Sequence, residues 1–264
     1  MQKKPEYHQS RIKNYFRCPK MFDLSMKIEP EIGASTQNVM REGQLFEGYV
    51  LGFKDDKNEA ELIGRKKPET IASLRLQAKQ IVPIFKNGMT YQKLRYETPE
   101  YILAGEADHI GILDWDYIFK YTGENIPVLG KTINDLKKTG SIKYVWSDYA
   151  KKSDYIQAIM YVYIHFKNTG ELLPFVYVIV EDTYDKPIIK FRKIFIQETD
   201  FEWLENIINV IHNDLFYGAT PGFESCEGGK MGSRCWWLQW CGSGRNYIGE
   251  TEIVSFLDLM DDKI

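Results

Sequence analysis

No stretch of this chain approaches the ~18 consecutive apolar residues that a membrane span requires. Its first residues, MQKKPEYHQSRIKNYF, hold no apolar signal core. These two absences point to a cytoplasmic protein with no membrane partner. Cysteine is scarce, with four residues in 264, and in a reducing compartment such cysteines read as metal ligands before disulfides. Positive charge is not in excess either. The formal net charge is −3, which argues against a nonspecific DNA coat. An enzyme with local basic patches around an acidic site remains open, and Arg65-Lys66-Lys67, Lys137-Lys138 with Lys143, and Lys151-Lys152 are such patches. The same lysines also suit a merely solvated face. No phosphate-binding glycine loop is present, so no nucleotide-driven motor is encoded. His8, His109, His165 and His212 are scattered and make no catalytic pair. There is no internal repeat and no low-complexity linker.

What is present is a hydrophobic fraction of 44%, enough for a full core, and an ordered change of pattern along the chain. Ser10 caps a short helix to about Cys18, with Pro19 at or just inside its end. Met40 to Phe53 reads as a helix, with Leu45, Tyr49 and Phe53 four residues apart. Pro68 to Phe85 is another. Strand patterns begin at Tyr91: Tyr91 to Thr98 and Tyr101 to Leu113 form a hairpin turned at Pro99-Glu100. Asp116 to Tyr121 is ambiguous between strand and loop. Val128 to Leu136 is a strand, Ser153 to Phe166 a helix, Pro174 to Glu181 and Ile188 to Ile196 a hairpin, and Phe201 to Leu215 a helix capped by Asp200. This order suits one α/β domain: a central mixed β-sheet flanked by helices. Its parts are N-terminal helices (10–85), a core (91–215) and a tail rich in Cys and Trp (221–264).

The segment Asp135-Leu136-Lys137 carries the chemistry. Alternate side chains of a strand share a face, so Asp135 and Lys137 point together while Leu136 turns to the core. Upstream lies Gly105-Glu106-Ala107-Asp108 on a second strand. If the two strands are neighbours, Asp108 and Asp135 can share Mg²⁺ or Mn²⁺, with the Leu136 backbone carbonyl as a neutral ligand and Glu47 as a third carboxylate. Such an ion lowers the pKa of its water and stabilises a leaving oxygen. Lys137 is then placed to orient the water and offset transition-state charge. That set fits metal-assisted cleavage of a phosphodiester. On their own these three residues also occur by chance in many chains.

Glu47, Gly105-Glu106-Ala107-Asp108, Asp135-Leu136-Lys137 and Gln157-Ala158-Ile159-Met160-Tyr161 follow one another in this order. In that order the chain resembles the PD-(D/E)xK nucleases, within them the RecB-like group that includes phage exonucleases. Gly43-Gln44-Leu45-Phe46-Glu47 looks like that group's G-x-x-x-H motif, with Glu47 in place of histidine. Gln157 and Tyr161 match its Q-x-x-x-Y helix, whose i, i+4 spacing puts both on one face. The resemblance implies a restriction-endonuclease-like core. It implies catalytic Asp108, Asp135, Lys137 and Gln157, metal held by Glu47, Asp108, Asp135 and the Leu136 carbonyl, and DNA positioned by Gln157 and Tyr161. It further implies an exonuclease of phage or recombination type, with a homo-oligomer and a recombination partner protein as expected associations. A non-catalytic DNA-binding or assembly module on the same fold, or an endonuclease, are the alternatives.

Cys18 and the triplet Cys226, Cys235 and Cys241 resemble the iron–sulfur-bearing branch of these nucleases, where a [4Fe–4S] cluster clamps the chain ends. The last spacing, x5, matches that branch; the x8 spacing replaces its usual x2. Zinc or reduced structural thiols are the other readings of the four. Trp236, Trp237 and Trp240 crowd the same tail, as a shield for a cluster, as core, or as a stacking platform for bases.

Overall fold

The computed structural model describes residues 4–27, 34–54, 58–64, 66–85, 87–123, 129–146, 155–181 and 186–217. They fall into two compact units: residues up to Glu6 with 32–201, and 7–31 with 202 onward.

The larger unit is built on a six-stranded sheet. Its strands are β1 (Glu6–Tyr7), β2 (Asn87–Glu97), β3 (Ile102–Ile112), β4 (Thr132–Thr139), β5 (Phe175–Glu181) and β6 (Ile188–Ile194). The order is β1-β3-β4-β5-β6, with β2 also on β3. The pairs β2–β3, β3–β4 and β5–β6 are antiparallel and β4–β5 is parallel. The sheet is therefore mixed, as expected. The β2–β3 hairpin closes at Thr98, whose hydroxyl accepts the N–H groups of Glu100 and Tyr101 at 3.2 and 3.0 Å. Gly88 and Gly111 face each other across this hairpin. A Cβ on Gly88 would stand 2.3 Å from His109 Nε2, and one on Gly111 would stand 2.7 Å from His109 Cε1. The two glycines thus make room for a buried imidazole, which meets Asn134 Nδ2 at 2.9 Å through Nδ1 and packs edge-on against Phe85. Burial pushes the pKa of His109 down to about 4.

Helices cover both faces. On β4, Lys138 pairs with Glu42 of α3 (Ala34–Leu51), while Asp135, three positions earlier in the Asp135-Leu136-Lys137 (DxK) motif, accepts from Gln157 of α8 (Tyr155–Thr169). Positions of opposite parity on a strand point to opposite faces, so α3 and α8 lie on opposite sides of the sheet. On the α3 side, Leu45, Phe46 and Val50 pack with Leu136, Val176 and Val178 and with Leu74, Ala78 and Ile81 of α5 (Pro68–Ile81). Between α3 and α5 lies the short α4 (Glu59–Ile63), capped by the Asn58 side chain.

Several boundaries differ from the sequence reading. Pro19 does not close the first helix, α1 (Gln9–Arg17); it opens a second, α2 (Pro19–Lys27), where its missing N–H costs nothing. The Pro68 helix stops at Ile81, and Val82–Phe85 continues as a 3-10 turn around Pro83. The ambiguous segment is a helix, α6 (Trp115–Thr122). Asp114 caps it by accepting from Tyr117 N–H at 2.9 Å, and Gly123, in the left-handed region, ends it. The DxK strand runs Thr132–Thr139, so the motif sits mid-strand; α7 (Ile142–Val145) follows. The last helix, α9 (Glu198–Tyr217), begins before Asp200. Asp200 lies in its first turn and accepts from the Gln197 N–H at 2.7 Å.

In the smaller unit, α1 and α2 bury Ile12, Phe22 and Cys18, and Phe16 stacks on Trp203 of α9. Tyr15 donates to Asp214 at 2.5 Å. Cys226, Cys235, Cys241 and the three tail tryptophans lie outside the described residues. No helix among the described residues is long and apolar enough to cross a membrane.

Candidate functional site

β3 and β4 pair only over Gly111↔Thr132, Ile110↔Ile133 and His109↔Asn134. The next step in that register sets Asp108 opposite Asp135. There the ladder stops, and a side chain takes over: Asp108 Oδ2 accepts the backbone N–H of Leu136 at 2.8 Å. β4 itself continues against β5 to Thr139. The two strands therefore part just where the carboxylates stand. The backbone register alone sets the two aspartates opposite each other on adjacent strands.

Asp135 is almost wholly buried and Asp108 nearly so. Asp135 Oδ1 accepts from Gln157 Nε2 at 2.6 Å, and Oδ2 meets the Lys137 ammonium as an ion pair. Burial, then the charge of Asp135, hold the Asp108 carboxyl well above its usual range, with Glu47 adding to the rise. Burial works against the charged form of Lys137, but the Asp135 and Asp108 carboxylates outweigh it and raise its pKa. Lys137 is thus a fixed cation beside two crowded carboxylates.

Tyr161 lies over the same strand. A Cβ on Gly105 would come within 2.4 Å of its ring, so the glycine permits the contact. Burial and the charge of Asp135 raise the Tyr161 pKa, against a smaller lowering by the Glu106 backbone. Gln157 and Tyr161 do share one helix face, and both meet the acidic strands. Gln157 acts on Asp135, which in turn holds Lys137.

Glu47 reaches the group by a different route. Its Oε1 stands 3.7 Å from Lys54 Nζ, and Lys54 is also ion-paired with Glu106. Burial raises the Glu47 pKa, with Asp135 and Glu106 raising it further against the pull of Lys54 and Lys137. Among the described residues, no group of three or more His, Cys, Asp or Glu side chains is arranged to hold a metal ion as it stands. Mg²⁺ commonly takes only one or two carboxylates, with water and substrate phosphate completing its shell. The charge also fits: Glu47, Glu106, Asp108 and Asp135 are served by two ammoniums, Lys54 and Lys137. A divalent cation entering this set would offset the carboxyl crowding that, after burial, raises the Asp108 and Glu47 pKa.

Of the basic patches, Lys66 and Lys138 both bond Glu42, at 3.1 and 2.9 Å; Lys138 ties α3 to β4, and Lys66 ties it to the segment before α5. Arg65, Lys151 and Lys152 lie outside the described residues. No sequence pattern marks Lys54 or Tyr91 for the site, and Glu106 stands in the Gly105-Glu106-Ala107-Asp108 motif without an assigned role. Two glycines bracketing α3's end, Gly48 and Gly52, were the available signal for Lys54.

No protein-family model matches the chain, and no curated protein matches it. Among solved structures, the crystal structure of a "putative exonuclease" from Eubacterium rectale aligns with 96% of this chain and 92% of its own, with a TM-score of 0.50 and 16% sequence identity. That likeness is one of fold: a central mixed sheet flanked by helices.

Proposed function

We propose that this chain is a divalent-metal-dependent deoxyribonuclease of the PD-(D/E)xK type, acting as an exonuclease in phage or recombination processes on DNA. The observation that carries this reading is the parting of β3 and β4 at Asp108 and Asp135, with Lys137 ion-paired to the second carboxylate. The solved structure titled a "putative exonuclease", similar in fold, supports the same reading.

Asp108 and Asp135 are the residues to hold Mg²⁺ or Mn²⁺, with the Leu136 carbonyl beside them and Glu47 adding negative charge. Such an ion, when bound, supplies a polarised water and charge neutralisation at the phosphate. Gln157 fixes the orientation of Asp135 by its 2.6 Å hydrogen bond. Lys137, held by Asp135, presents a permanent positive charge on the same strand face, where it can orient the attacking water and stabilise the crowded phosphoryl oxygens. Tyr161 packs its ring against Gly105 of the Asp108 strand.

The test is digestion of end-labelled linear DNA and of closed circular DNA with Mg²⁺ or Mn²⁺, for wild type and Asp135→Asn. Metal-dependent loss of linear DNA alone, absent in the variant, supports an exonuclease using this site. Cleavage of circles would make it an endonuclease, and DNA binding without cleavage would favour the non-catalytic module. Iron and zinc content of anaerobically purified protein decides between a [4Fe–4S] cluster, zinc and plain thiols at the four cysteines.

A further inference from the structure

Lys54 lies on the short segment after α3, and the segment is shaped to bring it back. Gly52 takes a positive φ of 95°, and its N–H bonds Gly48 O at 3.0 Å. A Cβ on Gly48 would collide with the Phe53 ring at 2.4 Å. The two glycines thus let Phe53 and Lys54 fold onto the helix end. Tyr91 then pins the segment: its hydroxyl donates to Gly52 O at 2.6 Å, and Lys54 Nζ sits over its ring at 4.6 Å.

Tyr91 is itself unusual. It is the one non-glycine residue with positive φ, 51°, among those described, and it lies inside β2. The β2–β3 register pairs Thr90↔His109 and Gln92↔Ala107 and passes over the position between, where Tyr91 would face Asp108. Such a backbone is strained and persists only where its surroundings hold it. Here the surroundings are Gly52 and Lys54. Gln44, Glu47, Gly48, Phe53, Lys54 and Tyr91 line a small pocket at this point.

We propose that Lys54 is an internal counter-cation: a positioning residue that holds Glu47 and Glu106 and sets how tightly the neighbouring carboxylates take a divalent ion. The inference rests on the metal-dependent reading above. Its ammonium is shared between Glu106 and Glu47 and adds positive charge felt at Asp108. A divalent ion at Asp108 and Asp135 must enter against that charge. Lys54 therefore trades affinity for order: it keeps two acidic side chains aligned and keeps metal binding from becoming too tight to exchange.

The test is direct Mn²⁺ binding, by calorimetry or by electron paramagnetic resonance of free Mn²⁺, on the intact chain without DNA. Lys54→Met should bind Mn²⁺ roughly three- to tenfold more tightly than wild type, as expected on removing a nearby like charge. Lys54→Arg should behave as wild type, because charge rather than shape is at work. Glu106→Gln should bind more weakly, since Lys54 then serves Glu47 alone. Lys54→Met/Glu106→Gln, in which both charges are gone together, should return toward wild type and gives the answer even if Lys54→Met alone fails to fold. Equal or weaker Mn²⁺ binding by Lys54→Met, or by the double variant relative to Glu106→Gln, overturns the proposal. If wild type itself binds no Mn²⁺, or if Asp135→Asn binds it as wild type does, the metal reading fails with it. Wild-type binding lost in Asp135→Asn but unchanged in Lys54→Met rejects Lys54 alone.

Discussion

The Asp108 carboxylate accepts the Leu136 backbone N–H at 2.8 Å, one register step past the last strand-paired residues of β3 and β4. A side chain thereby stands in for a missing strand partner. It joins the two strands at the point where they separate and commits one oxygen of Asp108 to the backbone between Asp135 and Lys137. The position of the DxK motif relative to Asp108 is thus set by a bond to main chain, which side-chain substitutions in β4 leave in place.

Lys137→Ala should lower kcat by about 10²-fold or more while DNA affinity changes little, if its charge acts on the reacting phosphate. Single-turnover cleavage and equilibrium binding measured side by side separate the two. Weakened binding with normal single-turnover cleavage would make Lys137 a phosphate clamp.

Gln157→Leu removes the donor to Asp135 Oδ1 inside a buried site. An unsatisfied buried carboxylate oxygen costs roughly 1–3 kcal/mol. Thermal unfolding should show that loss. Turnover should fall as well, since Asp135 is then held by Lys137 alone, and a variant with wild-type turnover would show that Gln157 has no part in orienting it.

Gly105→Ala drives a methyl group toward the Tyr161 ring, 2.4 Å away. Overpacking of this kind costs typically ~1–3 kcal/mol. A lowered Tm is expected, with partial recovery in Gly105→Ala/Tyr161→Leu, where the ring is gone. Equal stability of wild type and Gly105→Ala would mean that helix α8 shifts freely over the sheet.

Glu42 gives a pH dependence. Burial pushes its pKa up, but hydrogen bonds from Lys138 and Lys66 outweigh this and the net pKa is lowered. A carboxylate with a depressed folded pKa stabilises the fold above its unfolded value, near 4.5. That stability is lost as pH falls through the folded pKa. Because Glu42 is partly solvent-exposed, its share is about 1 kcal/mol or less. Denaturant unfolding at pH 7 and pH 3 should show a smaller acid loss for Glu42→Gln than for wild type, and identical acid losses would contradict the assignment.

Leu45 and Tyr49 marked a helix, although Phe53, the third of that stripe, lies past its end at Leu51, and alternation marked both strands of each hairpin, because local periodicity reports which side of an element meets a core. Alternation also placed Asp135 with Lys137 and turned Leu136 inward. The helix at Trp115–Thr122 was legible only through its caps, Asp114 and Gly123, since its own composition suits a strand as well. Pro19 was equally ambiguous, because the same residue that cannot continue one helix can begin the next.

The sequence by itself determined the alternation of elements, the mixed α/β class and the residue types that can serve a metal-assisted reaction, all of which depend on neighbours within a few positions. Only the tertiary structure decided that β3 lies beside β4 in a register that opposes Asp108 to Asp135. Only there does Gln157 reach Asp135, and only there does Lys54 return over Gly52 to Glu106 and Glu47. Such meetings join residues tens of positions apart, and strand register and loop path, which bring them together, are set by packing of the whole sheet rather than by any local pattern.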